Sequence, residues 1–273
     1  MKTAVLIQTH KNSKYLCILA KKNPTIRFYI HVDKKSPLIY EEIKSQNIPN
    51  ITLLEDRIDV YWGGYSQVAA TLKLLTTALL EPNNKYFHFL SSECYPLKRF
   101  NEIEEEWNIT PQNNYIESHL NKSNDWRLKV LTPHIDSHFF RSFLGRILNK
   151  LIKLSSFIVH NSKIPKDNFY FGSSWFSINR DLAQSIIDIN NSTTFFHDFK
   201  KITCCDEHAF QILVRKFNIQ GITDDNKRFV IFKGKANPEY LTIQQIKEVQ
   251  EKNNYWFIRK VDEKTSLSLL DNK

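Results

Sequence analysis

Asp206-Glu207-His208, directly after Cys204-Cys205, heads an amphipathic run, and upstream of it lies Phe171-Gly172-Ser173-Ser174-Trp175-Phe176. A carboxylate where a loop becomes a helix can take a proton from a hydroxyl held within hydrogen-bond reach, the work of a general base. The same acids also suit the positive end of a helix dipole as caps, so the motif alone leaves both roles open. Two basic positions offer a complementary chemistry: Arg228 in Lys227-Arg228-Phe229-Val230-Ile231-Phe232, and Arg259-Lys260 ahead of Val261-Asp262. Fixed cations can neutralise charge that develops on a leaving group, although most Lys and Arg side chains are simply solvated. No Asp-x-Asp occurs in the chain, and Asp33 stands alone after His31, so a divalent metal would have to be held in another way or replaced by such cations.

These groups need elements to position them. Ala4-Val5-Leu6-Ile7-Gln8-Thr9-His10 is a short apolar run with a polar end, and Arg27 to Ser36, through His31-Val32-Asp33, repeats the plan. Continuous apolar runs of this length, alternating with helical stretches, predict strands buried on both faces of a mainly parallel sheet. Ligands of such sheets bind at the carboxyl ends of the strands, an edge that would hold His10 and Asp33. Val60 to Ser66, containing Trp62-Gly63-Gly64, leads into a predicted helix from Gln67 to Leu80 with Val68, Leu72, Leu75 and Leu79 on one side. The glycines permit close backbone approach or positive φ, and Trp62 suits a packing anchor. The strand Tyr86-Phe87-His88-Phe89-Leu90 then runs into Ser91-Ser92-Glu93-Cys94-Tyr95-Pro96-Leu97.

In this order the motifs resemble those of the core-2/I-branching N-acetylglucosaminyltransferases and peptide O-xylosyltransferases. The matching pieces are His31 to Ser36, Trp62 to Ser66, Leu90 to Leu97, Gly172 to Phe176, Asp206-Glu207-His208 and Trp256 to Lys260; only about 118–168 finds no counterpart. The resemblance implies a GT-A-like, Rossmann-like α/β fold with a mixed, mainly parallel sheet flanked by helices. It identifies Glu207 as the catalytic base, with Asp206 orienting the loop. It also gives the diphosphate to Arg228 and Lys260, with Arg259 as the near alternative. His10, Asp33 and, further off, Arg57 are then candidates for the nucleotide. Ser92 and Glu93, with Ser91, would meet the donor sugar, while Glu117 resembles an acceptor-binding carboxylate and Ser173 and Trp175 flank the acceptor. Trp126, Arg127 and Lys129 fall in the divergent segment without an assigned role.

The 273 residues suffice for one large α/β domain. No linker, repeat or low-complexity tract divides them, so one domain is expected over 1–263, with a divergent acceptor or membrane segment at about 118–168 and a C-terminal tail over 264–273. Four cysteines make no disulfide framework, and neither Cys-x-x-Cys nor zinc spacing occurs. With no signal-peptide pattern and no apolar stretch of spanning length, a bacterial, cytoplasmic member of the family is expected, peripheral on the inner membrane at most.

The net charge of +9 favours anionic partners. Much of it is local: from Ser137 to Lys166 there is no acid, while Arg141, Arg146, Lys150, Lys153, Lys163 and Lys166 are basic. Within that stretch Phe140, Phe143, Leu144, Ile147, Leu148, Leu151 and Leu154 recur at helical spacing, opposite Ser142, Arg146, Asn149, Lys150 and Lys153. Over about 139–158 this is either an interfacial helix for an anionic membrane or a helix packed on the core. No nucleic-acid-binding module is visible.

The expectation is therefore an inverting, metal-independent glycosyltransferase moving a sugar from a UDP-sugar, UDP-GlcNAc first and UDP-xylose second, to a glycan hydroxyl in bacterial surface polysaccharide or lipooligosaccharide synthesis, with no cofactor. Its rivals are a non-catalytic sugar-nucleotide or membrane-binding module and a nucleotidyltransferase. The last would want a metal-binding acid pair and a glycine-rich phosphate loop, and neither is visible.

Overall fold

The structure, a computed structural model, describes residues 2–120, 123–165, 167–234 and 237–271; Lys166, counted above in the basic stretch, lies outside them. Its strands are β1 (Thr3–Thr9), β2 (Arg27–Val32), β3 (Ile51–Leu53), β4 (Tyr86–Ser91), β5 (Cys94–Pro96), β6 (His119–Leu120), β7 (Tyr170–Phe171), β8 (Ser177–Asn179), β9 (Arg228–Val230) and β10 (Phe257–Arg259). Its α-helices are α1 (Ser13–Lys22), α2 (Pro37–Ser45), α3 (Tyr65–Leu79), α4 (Phe100–Asn108), α5 (Trp126–Lys129), α6 (Phe143–Ser155), α7 (Arg180–Ser192), α8 (Ala209–Lys216), α9 (Ile243–Glu251) and α10 (Glu263–Asp271).

The central sheet runs β3-β2-β1-β4-β8, parallel except for β8, which pairs antiparallel with β4. Successive side chains of a strand point to opposite faces, and on β1 both sets are buried. Ala4 and Leu6 join one core with Val68 and Leu75 of α3, Ile186 of α7 and Phe210 of α8; Val5 and Ile7 join the other with Leu16 of α1, Ile43 of α2 and Trp107 of α4. Covering both faces is what makes the first two strands read as unbroken apolar runs. Trp107, Tyr115 and Trp256 lock the second core, with ring centroids 4.4 to 5.2 Å apart. Each such side chain stabilises by roughly 1.5–3 kcal/mol through burial.

A smaller sheet, β5-β10-β9, returns the end of the chain to the tip of β4, where Val261 N donates to Glu93 O at 3.0 Å. Residues 264–273, expected as a tail, form α10 over their described part; α10 packs on α1, with Leu270 buried. Glu263 Oε1 accepts from Tyr15 N at 3.1 Å.

From the divergent segment β6 pairs antiparallel with β7, which follows the segment's end. The single helix expected over 139–158 is instead a 3-10 turn, His138–Arg141, followed by α6. Ser142 divides them because its extended backbone and its Oγ, which accepts from Gly145 N at 3.0 Å, make it an N-cap. No helix of the described residues is long and apolar enough to cross a membrane.

Candidate active site

A cleft of about 400 Å³ opens at the carboxyl ends of the parallel strands. Thr9 and His10 follow from β1, His31 and Asp33 from β2, and Ser91 from β4; Trp62, Trp175, Glu93, Arg259 and Lys260 complete its walls, with Ser137 to Arg141 on the far side. The strands on either side of β1 leave it in opposite directions through the order, the switch point where such sheets bind ligands. Asp33 is fixed by its loop: Oδ1 accepts from Lys35 N at 3.0 Å, Val60 N at 3.3 Å and Lys35 Nζ at 2.9 Å. His31 Nε2 accepts from Ile58 N at 3.1 Å, which leaves the ring proton on Nδ1. Burial pulls His31 down to about 4, so it is a neutral structural ring.

The opposite end of the cleft is basic. Glu93 is buried, and its carboxylate is met by Lys11 Nζ at 2.6 Å, Lys260 Nζ at 3.1 Å and Arg259 Nη2 at 3.9 Å, with Tyr240 Oη donating at 2.5 Å. Burial alone would raise the Glu93 carboxyl, but the bonds from Lys11 and Tyr240 and the charges of Arg259 and Lys260 outweigh it and hold it at about 2. Three cations around one carboxylate leave a surplus of positive charge, and two of them, Arg259 and Lys260, line the cleft. Arg259 also donates to Ser91 Oγ and lies 4.8 Å from the Trp175 ring centroid, so its plane is set by two contacts.

Beside this cleft sits the acid turn. Cys204 adopts a left-handed conformation (φ 52°) and donates its backbone N–H to Gly63 O at 2.7 Å, which pins the turn behind Trp62. Close approach explains the neighbouring glycine: a Cβ on Gly64 would stand 2.0 Å from Asp136 Oδ1, the atom that receives Ser66 Oγ at 2.6 Å. Asp206 is buried; burial, then the charge of Glu207, pushes it up, against a 2.6 Å bond from Ser174 Oγ. Glu207 is partly open at 32% exposure and pairs through Oε2 with Arg127 Nη1 at 2.7 Å, while Oε1 receives no hydrogen bond among the described residues. His208 Nδ1 contacts Tyr170 O at 2.8 Å, and burial lowers it to about 4. The two acids differ physically: Asp206 is buried on Ser174, and Glu207 is open to solvent.

The expected residues thus divide. His10, Asp33, Glu93, Trp175, Arg259 and Lys260 share the cleft. Glu207, Ser173 and Glu117 cluster beside it without lining it: Gly172 N donates to Glu207 O at 3.1 Å, and Ser173 N donates to Glu117 Oε2 at 3.1 Å. Burial raises the Glu117 carboxyl. Trp175 joins the two groups, lining the cleft and following Ser174, which holds Asp206.

Three expected residues are in neither. Arg228 lies furthest from its expected place: it is buried, and its guanidinium donates to the carbonyls of Phe176 at 2.7 Å, Phe89 at 3.2 Å and Asn226 and to Ser177 Oγ at 2.9 Å, so it ties strands together, and it is not among the cleft walls. Burial lowers it to about 9. Arg57 lies over the Tyr40 ring, 4.0 Å from its centroid, outside the cleft walls. Ser92 is buried, and its carbonyl accepts from Asn12 Nδ2 at 2.9 Å.

The sequence reading missed Lys11 and Tyr240. Lys11 follows His10 at the end of β1, a signal that was available; Tyr240 meets Glu93 from 147 residues away, and nothing local marks it. Two arginines to which the sequence assigns no site role also meet the site: Arg127 pairs with Glu207, and Arg141 lies over the Trp62 ring. Among the described residues, no three His, Cys, Asp or Glu side chains come together as a metal site.

The family model of the Core-2/I-Branching enzymes matches residues 6–254. Among curated relatives, a xylosyltransferase of Ciona intestinalis is 24% identical over 211 residues, 74% of this chain and 23% of that protein. Xylosyltransferase 2 of Rattus norvegicus is 26% identical over 168 residues, 59% of this chain and 18% of that protein. The chain thus spans about a fifth of the length of these relatives. A solved structure, 4-diphosphocytidyl-2C-methyl-D-erythritol synthase from Anaerococcus prevotii, superposes with a TM-score of 0.41 at 13% identity, covering 92% of this chain and 96% of that one.

Proposed function

The chain belongs to the Core-2/I-Branching enzyme family, and from that premise we propose that it is an inverting, metal-independent glycosyltransferase that moves a sugar from a UDP-sugar to a glycan hydroxyl. The observation that carries the reading is the surplus of positive charge that Arg259 and Lys260 bring to the strand-end cleft, with Lys11 sharing their partner Glu93, next to a turn that exposes Glu207. UDP-GlcNAc and UDP-xylose are the two donors to try. The resemblance to core-2/I-branching N-acetylglucosaminyltransferases favours the first and the similarity to xylosyltransferases the second.

In the proposed step the Oε1 of Glu207 takes the acceptor's hydroxyl proton. The oxygen attacks the anomeric carbon from the face opposite the nucleotide, and the bond from that carbon to the diphosphate oxygen breaks with its electron pair leaving on UDP. Arg259 and Lys260, with Lys11, neutralise the departing charge, and the proton ends on Glu207. An α-linked donor gives a β-linked product. Removal of a general base lowers rates by roughly a hundred- to ten-thousand-fold. The setting proposed is assembly of a bacterial surface glycan on a lipid-linked acceptor, in the cytoplasm.

The test is UDP release from a panel of UDP-sugars in excess EDTA, comparing the native chain with Glu207→Gln. Release from one donor that survives EDTA and falls at least a hundredfold in the variant is expected. Release abolished by EDTA would overturn the metal-free step, and release unchanged in Glu207→Gln would overturn the base.

A further inference from the structure

α6 is mounted the wrong way round for a helix of a globular core. It faces the protein with Gly145, Asn149 and Ile152: Gly145 is buried against Phe139 O, where a Cβ would come within 1.8 Å, and Asn149 Nδ2 donates to Phe140 O at 2.9 Å. The opposite side carries Phe143, Leu144, Ile147, Leu148, Leu151 and Leu154, all exposed, Phe143 at 78%. The ridge continues past the helix end into Phe157 and Ile158, exposed at 87% and 91%. Contiguous exposed apolar surface of this kind marks an interaction site.

Charge decides what covers it. Arg146, Lys150 and Lys153 are exposed along one flank of the apolar ridge, and the sequence from Ser137 to Lys166 contains no acid. A second copy packed face to face through this ridge would bring the two basic flanks together with no counter-charge from the segment. A bilayer with anionic headgroups accepts the ridge among its acyl chains and the cations among its phosphates at once.

We infer that α6 and the residues after it form a docking surface for an anionic phospholipid bilayer, the helix lying in the plane of the headgroups. Docking stands on the helix alone, independent of the transferase reading. One consequence does rest on that reading: Ser137, His138, Phe140 and Arg141, which precede α6, line the cleft, so a docked helix holds the cleft mouth near the headgroups, where a lipid-anchored glycan is presented.

The experiment is co-sedimentation of the full chain with phosphatidylcholine vesicles and with vesicles containing phosphatidylglycerol, at low and high salt. Each basic residue near such a surface is worth about a fivefold change in binding. Binding to the anionic vesicles that weakens with salt, and that falls on the order of a hundredfold in Arg146→Gln/Lys150→Gln/Lys153→Gln, is expected. Leu144→Ser/Leu148→Ser/Leu151→Ser should likewise release the chain, and the thermal melts of both variants should match the native chain because all six side chains are exposed. The inference is overturned by absence of binding to anionic vesicles at low salt, or by binding that neither variant weakens. It is also overturned by a dimer in sedimentation velocity that the serine variant dissociates, since a second copy would then cover the ridge. Donor hydrolysis without vesicles reports on the transferase reading separately.

Discussion

Arg228 and Arg259 sit on adjacent strands, one opening β9 and the other closing β10, yet they serve opposite ends of the sheet's architecture. Arg228, at the entry of its strand, is sealed in and donates to the carbonyls of Phe89 and Phe176. Arg259, at the exit, reaches the cleft, where it meets Ser91, the Trp175 ring and Glu93. An arginine's task here follows from which end of a strand it occupies. Carboxyl ends open into loops that admit a ligand, whereas the other end is closed by packing.

The sharpest way to break that comparison is Arg228→Met. Removing the guanidinium leaves buried carbonyls without donors, and each costs about 1–3 kcal/mol, so a loss on the order of 3 kcal/mol in stability is expected even after the relief of arginine desolvation. Urea denaturation measures it, and donor kinetics of the still-folded variant should stay near native. A variant that melts normally but loses the UDP-sugar would return Arg228 to the donor site.

Arg259→Ala and Lys260→Ala make the reverse experiment. Both side chains face the cleft, so the expected loss is tenfold to a hundredfold in kcat/KM, about 1.4–2.8 kcal/mol of transition-state stabilisation, with a smaller loss of stability than Arg228→Met because each is paired with the Glu93 carboxylate and not with buried strand carbonyls. The double variant should lose less than the product of the two, because both cations share Glu93. A large drop in melting with unchanged kinetics would make the pair structural like Arg228.

Much of this was legible beforehand because it is written locally. The buried strands β1, β2 and β4 appear as apolar runs, their polar ends mark the cleft, and α3 shows its buried stripe at Val68, Leu72 and Leu75. What the chain hides is orientation. Arg228 and Arg259 each belong to a basic pair beside an apolar triplet, Lys227-Arg228 and Arg259-Lys260, and nothing local says which carbonyls lie overhead. α3 and α6 have the same periodicity, but α3 turns its stripe to the core while α6 turns its stripe away, because Gly145 and Asn149 offer a small polar face that fits the segment beneath. The Glu93–Tyr240 contact is set by tertiary closure alone.

Glu93 gives the mildest test, and it probes how three cations can gather around one point at the exit end of the strands. Its folded carboxyl is depressed from 4.5 to about 2, so its contribution is complete above the unfolded value and is lost as pH falls between those two points. The slope through that window is at most about 1.4 kcal/mol per pH unit for one group. Glu93→Gln should flatten the acid limb of stability against pH there and leave it parallel to native at neutral pH. Added inorganic pyrophosphate should then stabilise the variant more than the native chain, because Lys11, Arg259 and Lys260 have lost their internal counter-charge and an external anion supplies it. Equal stabilisation of both chains would mean that the cations do not answer to Glu93, and the contrast with Arg228 would rest on burial alone.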